Sequence, residues 1–294
     1  MSTQITTAFA KQYQANANLV AQQIESRARD KVMVENVVGA EKVFIDYVGK
    51  TTVTQRTTRH GDTQYSDTPH SRRMVVTAPY DVADLIDRPD QVRTLIDPQS
   101  KYLQAMRAGM NRKVDNVLFT AMRGTAYAGV DGATPIVLPA GQKIAHGSVG
   151  MTLPKLIQAS EILNLADVPD EQEGGANYQR FVAIGPKQVS NLLAEVEVGS
   201  ADYNLIRPLV EGKISRFMGF TFVPTNQLYL DGSTIRYCLA WVKAGVGLGL
   251  SYDITATVDR MPNKNNSIQV FLEMMFGASR LEEELVVEIG CSEA

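Results

Sequence analysis

The sequence predicts an α+β fold, and three observations predict it. The stretch from Pro98 to Arg123 carries apolar residues at helical spacing. Near the C-terminus, Ile254, Ala256 and Val258, then Ile268, Val270, Leu272 and Met274, alternate with polar residues as strands do. Two more strand-like runs, Val43 to Val48 and Met74 to Thr77, flank a long polar segment. Strands from both ends of the chain therefore share a sheet, with helices between them.

Composition narrows the function. The 294 residues are 44% hydrophobic and 21% charged, which excludes wholesale disorder. A net charge of −3 excludes a protein that coats nucleic acid through net positive charge. Two cysteines exclude a disulfide scaffold and a four-cysteine zinc site, and three histidines argue against a histidine-rich metal site. Met1 to Thr7 is polar and lacks a basic stretch followed by an apolar core. Cys238 to Leu250, the most apolar late stretch, is interrupted by Lys243 and is shorter than the roughly 20 residues of a bilayer span. The expectation is a soluble protein made in the cytoplasm, with Cys238 and Cys291 reduced and packed as small apolar groups.

In chain order, residues 1–31 read as an arm. Phe9, Tyr13, Val20 and Ile24 recur at helical spacing on an otherwise polar helix, a narrow stripe that needs a surface to lie on. An ordinary N-terminal helix docked on its own domain is the plainer alternative. From Lys50 to Arg73 the only apolar side chains, proline apart, are Val53 and Tyr65. Threonines favour extended backbone, and Gly61-Asp62 offers a turn. The segment reads as a long β-ribbon, polar on both faces, with a disordered loop as the alternative. Such a ribbon has little to bury and is marginal alone in water. Lys50, Arg56, Arg59, Arg72 and Arg73 against Asp62 and Asp67 give it a net +3 on an acidic protein, so an acidic surface on a neighbouring copy is a natural partner.

Tyr80 to Asp87 reads as a short helix stopped by Arg88-Pro89. The long helix follows, with Asp97 as cap, Pro98 at its first position and Gly124 as its stop. Tyr102, Met106, Val114, Val117, Leu118, Ala121 and Met122 form its expected buried face, over a length of roughly 40 Å. Residues 124–151 are rich in small residues and read as a loop or short hairpin. A second helix starts at Thr152-Leu153-Pro154, and Asp167 to Asn177 is an acidic loop. Arg180 to Ile184 is a strand, and Gly185-Pro186 opens a third helix with Val189, Leu192, Leu193 and Val196 inward. Phe217 to Val223 and Ile235 to Val242 are strands, as is the run with Leu285, Val287 and Ile289, and Pro262 to Asn266 is a turn.

Chemistry is sparse. Gly245-Val246-Gly247-Leu248-Gly249 follows a strand but does not match a dinucleotide-binding fingerprint and leads into another strand. His60, Asp62, Asp67 and His70 cluster in sequence but read as turn and surface residues, because no apolar shell fixes them. Glu282-Glu283-Glu284 is either a solvated charge run or a docking site for basic arms. No nucleophile elbow is present, and neither cysteine has a histidine nearby in sequence. No catalytic, cofactor or metal residue is assigned.

The order of polar arm, polar ribbon, long helix, mixed middle and returning strands resembles the major capsid proteins of tailed bacteriophages, with the Hong Kong 97-like fold. Asp67 to Arg73, Tyr80 to Asp87, Asp97-Pro98, Gly219-Phe220 and Phe276 to Arg280 carry the resemblance, which covers nearly the whole chain. It implies an N-terminal arm at 1–42, an extended loop at 43–80, and a peripheral domain with the spine helix at 81–124. An axial domain at 125–245 and return strands at 246–294 complete it. It further implies inter-subunit contacts through Arg56, Arg59, Asp62, Tyr65, Asp67, Arg72 and Arg73 of the loop, and through Phe9, Tyr13, Val20 and Ile24 of the arm. The implied partners are further copies in hexamers and pentamers, a scaffolding protein, a portal protein and double-stranded DNA held non-specifically. A decoration protein is left open. The N-terminal scaffolding segment of some members is absent here, so a separate scaffolding protein or a cleaved segment is expected. No cofactor and no membrane are implied. An encapsulin-like bacterial compartment and a soluble enzyme with an unrecognised site are the alternatives.

Overall fold

The computed structural model describes residues 22–37, 40, 42–59, 61–63, 65–86, 98–169, 174–194, 216–232 and 234–293. In chain order these form β1 (Met33–Asn36), β2 (Lys42–Val48), β3 (His70–Val76), β4 (Ala78–Ile86), α1 (Pro98–Arg123), β5 (Ala126–Ala128), β6 (Thr134–Ile136) and β7 (Lys143–Ile144). There follow α2 (Leu153–Leu165), β8 (Arg180–Ile184), α3 (Pro186–Ala194), β9 (Arg216–Phe217), β10 (Phe220–Pro224) and β11 (Leu230–Asp231). The chain finishes with β12 (Ile235–Val242), β13 (Val246–Met261), β14 (Ser267–Arg280) and β15 (Val286–Ser292). The expected α+β architecture holds, and α1 begins and ends where Pro98 and Gly124 place it. The expected cap, Asp97, lies outside the described residues.

The chain divides into two compact units. The smaller comprises Met1–Glu25, Pro79–Arg112 and Asp253–Met274. Its core is Ile86, Met106, Val270 and Leu272, with Val82, Leu103 and Ile254 packed on it. The β13–β14 turn uses Asn265 and Asn266 in the left-handed region, where asparagine is tolerated. Two readings are corrected here. Residues 80–86 belong to strand β4, not to a helix: alternate positions face inward down to Ile86. Val82 and Ile86 are four apart, a spacing that fits a strand face as well as a helix face, which is why the period misled. Tyr102 is exposed, so the buried face of α1 starts at Met106.

The larger unit comprises Ser26–Ala78, Lys113–Tyr252 and Met275–Ala294. Its seven-stranded sheet has the order β7-β15-β12-β8-β10-β9, with β11 beside β12. The inner strands β12, β8 and β15 are almost wholly buried, as their apolar runs require. Trp241 lies at the centre, 5.7 Å from the ring of Phe181 and 6.2 Å from that of Phe119. Leu156, Ala159 and Leu163 form the buried stripe of α2, while Ile157 faces out. On α3, Leu192 and Gln188 are inside and Leu193 is exposed; Val196 lies outside the described residues. The expected strand from Phe217 to Val223 is two strands. Met218 and Gly219 have φ of 50° and 79° and make a two-residue turn that pairs Phe217 with Phe220.

A separate antiparallel sheet of order β2-β3-β5-β6 lies in the larger unit, and a third sheet has the order β1-β13-β14-β4. The glycine run of β13 serves packing. A methyl group on Gly249 would sit 3.0 Å from Val75 and 3.2 Å from Val37, and one on Gly247 would sit 3.0 Å from Leu281.

Candidate assembly surfaces

The root of the long polar segment is a regular hairpin. β2 and β3 pair antiparallel from Lys42↔Val76 to Val48↔His70. The Gly49 amide donates to the Pro69 carbonyl at 2.7 Å, and there the ladder ends. Residues 50–69 contain no strand among the described residues, so the β-ribbon reading holds only for the root. Beyond it the visible ties are few: Thr51 to Thr68 through their hydroxyls at 3.1 Å, Arg56 to the Thr58 carbonyl at 3.2 Å, and Lys50 to the Ala166 carbonyl at 3.3 Å.

The predicted contact residues fall into two groups. Arg56, Arg59, Asp62, Tyr65 and Asp67 are all exposed, with Tyr65 at 94% and its apolar neighbour Val53 at 96%. Arg72 and Arg73 lie on the root and are engaged within the chain. Arg72 makes a forked pair with Asp46 across the hairpin, at 2.5 and 2.9 Å, and stacks over Phe44. That pair holds the Asp46 carboxyl below its ordinary range. Arg73 is buried and donates to Glu283 at 2.7 Å.

Glu283 sits in the β14–β15 turn, so the acidic run divides rather than acting as one patch. Glu283 is an internal ion-pair partner, Glu284 is exposed, and Glu282 is half-buried with its carboxyl pushed up by burial and then by the neighbouring Glu284 and Glu283. On the other side of Glu283, Arg280 is fully buried. Its guanidinium donates to the Met122 and Gly124 carbonyls at 2.9 and 2.8 Å and to the Ile136 carbonyl at 2.9 Å. Those carbonyls at the end of α1 lack helical partners, and a cation suits the negative end of the helix dipole.

The departure of the arm is also fixed. The Asp115 carboxylate accepts the Ser26 hydroxyl at 2.5 Å, the Arg27 amide at 3.0 Å and the Ala28 amide at 3.1 Å. Trp241 donates its indole N–H to the Lys31 carbonyl at 2.9 Å. In the smaller unit, Asn111 donates to the Ile24 carbonyl at 2.8 Å, and Arg112 to Gln22 at 2.7 Å. The Ile24 side chain is nonetheless 65% exposed. Phe9, Tyr13 and Val20 lie outside the described residues.

Asp115, Arg280 and Glu283 were not singled out as site residues from sequence. Asp115 carried a readable signal, as the lone acidic residue of α1, beside Val114 on the inward face. Glu283 lay in the acidic run read as a solvated charge run or a docking site for basic arms, but its pairing with Arg73, 210 residues away, left no local trace, nor did the grip of Arg280 on carbonyls more than 140 residues away. Among the described residues no three potential metal ligands converge, and no helix is long and apolar enough to cross a membrane.

The sequence profile of the phage capsid protein family matches residues 5–293, so the chain belongs to that family. Comparison with curated proteins returns no match. Among solved structures, the capsid of the cyanophage P-SCSP1u is similar at TM-score 0.75 and 15% identity, over 98% of this chain and 94% of that one. The capsid of cyanophage Pam1 is similar at 0.70 and 12%, over 98% of each chain. The acid-stable capsid of Helicobacter pylori bacteriophage KHP30 is similar at 0.70 and 9%, over 96% and 94%. The fold is thus Hong Kong 97-like, as the resemblance implied. As a member of that family, the protein is a structural component of a virion rather than an enzyme.

Proposed function

We propose that this chain forms the hexamers and pentamers of an icosahedral phage head that encloses double-stranded DNA. The observation that carries this reading is the loop at 50–69. Its hydrogen-bonded ladder stops at Gly49, its side chains are almost all exposed, and its ties to its own chain are few. Out and back over some twenty residues, it reaches roughly 30 Å, enough to lie across an adjacent subunit. Arg56, Arg59, Asp62, Tyr65 and Asp67 are the contact residues. The arm, with Phe9, Tyr13, Val20 and Ile24, supplies a second contact. Permanent contacts of this kind bury roughly 2,000 Å² or more per pair, and repetition closes the shell.

A net charge of −3 suits a container, since a strongly basic lining would trap DNA. Synthesis in the host cytoplasm, a scaffolding protein, a portal and a decoration protein complete the proposed setting. The test replaces residues 52–67 with a short glycine linker and keeps the root. The expected variant is folded by circular dichroism and makes no shells under electron microscopy. Normal shells would overturn the role of the loop.

A further inference from the structure

We infer that Glu283, held between Arg73 and Arg280, is a positioning residue that sets the direction of the extended loop for assembly. This rests on the proposed role of the loop and adds what aims it.

The hairpin root is held by its own ladder, by the short pairing of β3 with β5 (Arg73↔Ala128, Met74↔Tyr127) and by Arg72–Asp46, which joins β2 to β3 and reaches no further. That pair is exposed and cannot orient the hairpin against the body. Arg73 can. It follows Arg72 on β3, points inward and pairs with Glu283 at 2.7 Å. Glu283 also faces Arg280 at 3.7 Å, and Arg280 grips three carbonyls at the end of α1 and on β6. Beside the β3–β5 pairing, one carboxylate thereby adds a side-chain link from the root of the loop to the end of the long helix. The separation of β3 and β14 is set nearby by Gly277. A methyl group there would meet the Val76 carbonyl oxygen at 1.8 Å, so the strands are in backbone contact.

The linkage keeps unused capacity. Arg73 Nε, Arg280 Nε and Glu283 Oε1 are buried without hydrogen-bond partners. A movement of about 0.7 Å would bring Glu283 Oε1 into hydrogen-bond range of Arg280 Nε.

The test uses the full chain with Arg73→Met. This removes the root's ion pair, keeps the β3–β5 pairing and leaves Arg280 and Glu283 as a balanced pair, so the body stays folded. Amide exchange in 42–48 and 70–76 is expected to rise about ten-fold or more, while 235–242 and 286–292 keep parental protection. Shells should become heterogeneous in diameter. Arg73→Lys restores the charge and should restore uniform shells; Arg72→Ala, which touches only the exposed pair, should leave diameter unchanged. Uniform shells from Arg73→Met, or an exchange increase spread over the whole unit, would overturn the inference. The glycine-linker variant separates the two ideas. If it makes no shells while Arg73→Met makes normal ones, the loop reading stands and the positioning role falls. If the linker variant makes shells, the loop reading itself fails.

Discussion

Removing the Asp115 carboxylate should free the start of the arm. Oδ1 takes three donors: the Ser26 hydroxyl and the amides of Arg27 and Ala28; Oδ2 takes the Arg27 amide as well. Asp115 and Ala28 are both fully buried, so no water replaces the lost acceptor. Hydrogen bonds to a charged group contribute about 1.5–3 kcal/mol each, and a stranded buried amide costs about 1–3 kcal/mol. Asp115→Ala strands at least the Ala28 amide and weakens the other two contacts, which gives a loss of about 3–5 kcal/mol. Asp115→Asn is the informative partner. Its carbonyl at the Oδ1 position keeps the Ser26 and Ala28 contacts, but its NH₂ at the Oδ2 position opposes the Arg27 amide donor to donor. About 1–2 kcal/mol should be lost. The assay is urea denaturation of unassembled protein, with amide exchange read at Arg27 and Ala28. The expected order is parent, Asn, then Ala, with exchange at Ala28 at least about a hundred-fold faster in the alanine variant. An alanine variant within about 1 kcal/mol of the parent, with those amides still protected, would refute the anchoring role.

Other perturbations probe the packing and the charges. Gly277→Ala should cost about 3 kcal/mol or more, because its methyl would overlap the Val76 backbone instead of a side chain that can turn away; a melting temperature within about 2 °C of the parent would refute this. Two carboxylates should give stability opposite slopes with pH. Glu293 titrates below its ordinary value of 4.5 because Arg236 bonds its charged form, so its contribution is present at neutral pH and lost on acidification below that value. Glu282 titrates above 4.5 because burial disfavours its charge, so its folded form binds the proton first and stability falls as pH rises through that window. Urea midpoints between about pH 2.5 and 7 should therefore fall more steeply in acid for the parent than for Glu293→Gln, and rise at neutral pH for Glu282→Gln; unchanged profiles in both variants would sink the assignment.

What the sequence disclosed follows from the range of the forces involved. Pro98 and Gly124 act on their own turns, so the ends of α1 were legible, as were the alternating β14 and the asparagine turn before it. Tyr80 to Ile86 was not. Val82 and Ile86 satisfy both periods, and strand pairing decided between them. Met218 was hidden because a methionine at positive φ carries no turn signature of its own; the glycine after it was the only cue. Contacts such as Arg73–Glu283, 210 residues apart, leave no local trace. For the candidate surfaces, the exposed loop was readable because having nothing to bury is a property of composition. The anchors that direct the loop and the arm depend on tertiary contacts.

The electrostatic argument for the loop changes once those anchors are known. Five basic residues against two acidic ones predicted an acidic neighbour. Two of the five, Arg72 and Arg73, are balanced by Asp46 and Glu283 of the same chain. Lys50, Arg56 and Arg59 against Asp62 and Asp67 leave the exposed part close to neutral. A near-neutral, threonine-rich strip is poorly suited to charge steering, which needs a concentrated field. It is well suited to main-chain and hydroxyl hydrogen bonding along a partner surface, with Val53 and Tyr65 as its exposed apolar points of purchase. The charged residues next to it do different work: Arg72 braces the two strands of the root, and Arg73 pairs with Glu283 outside the hairpin.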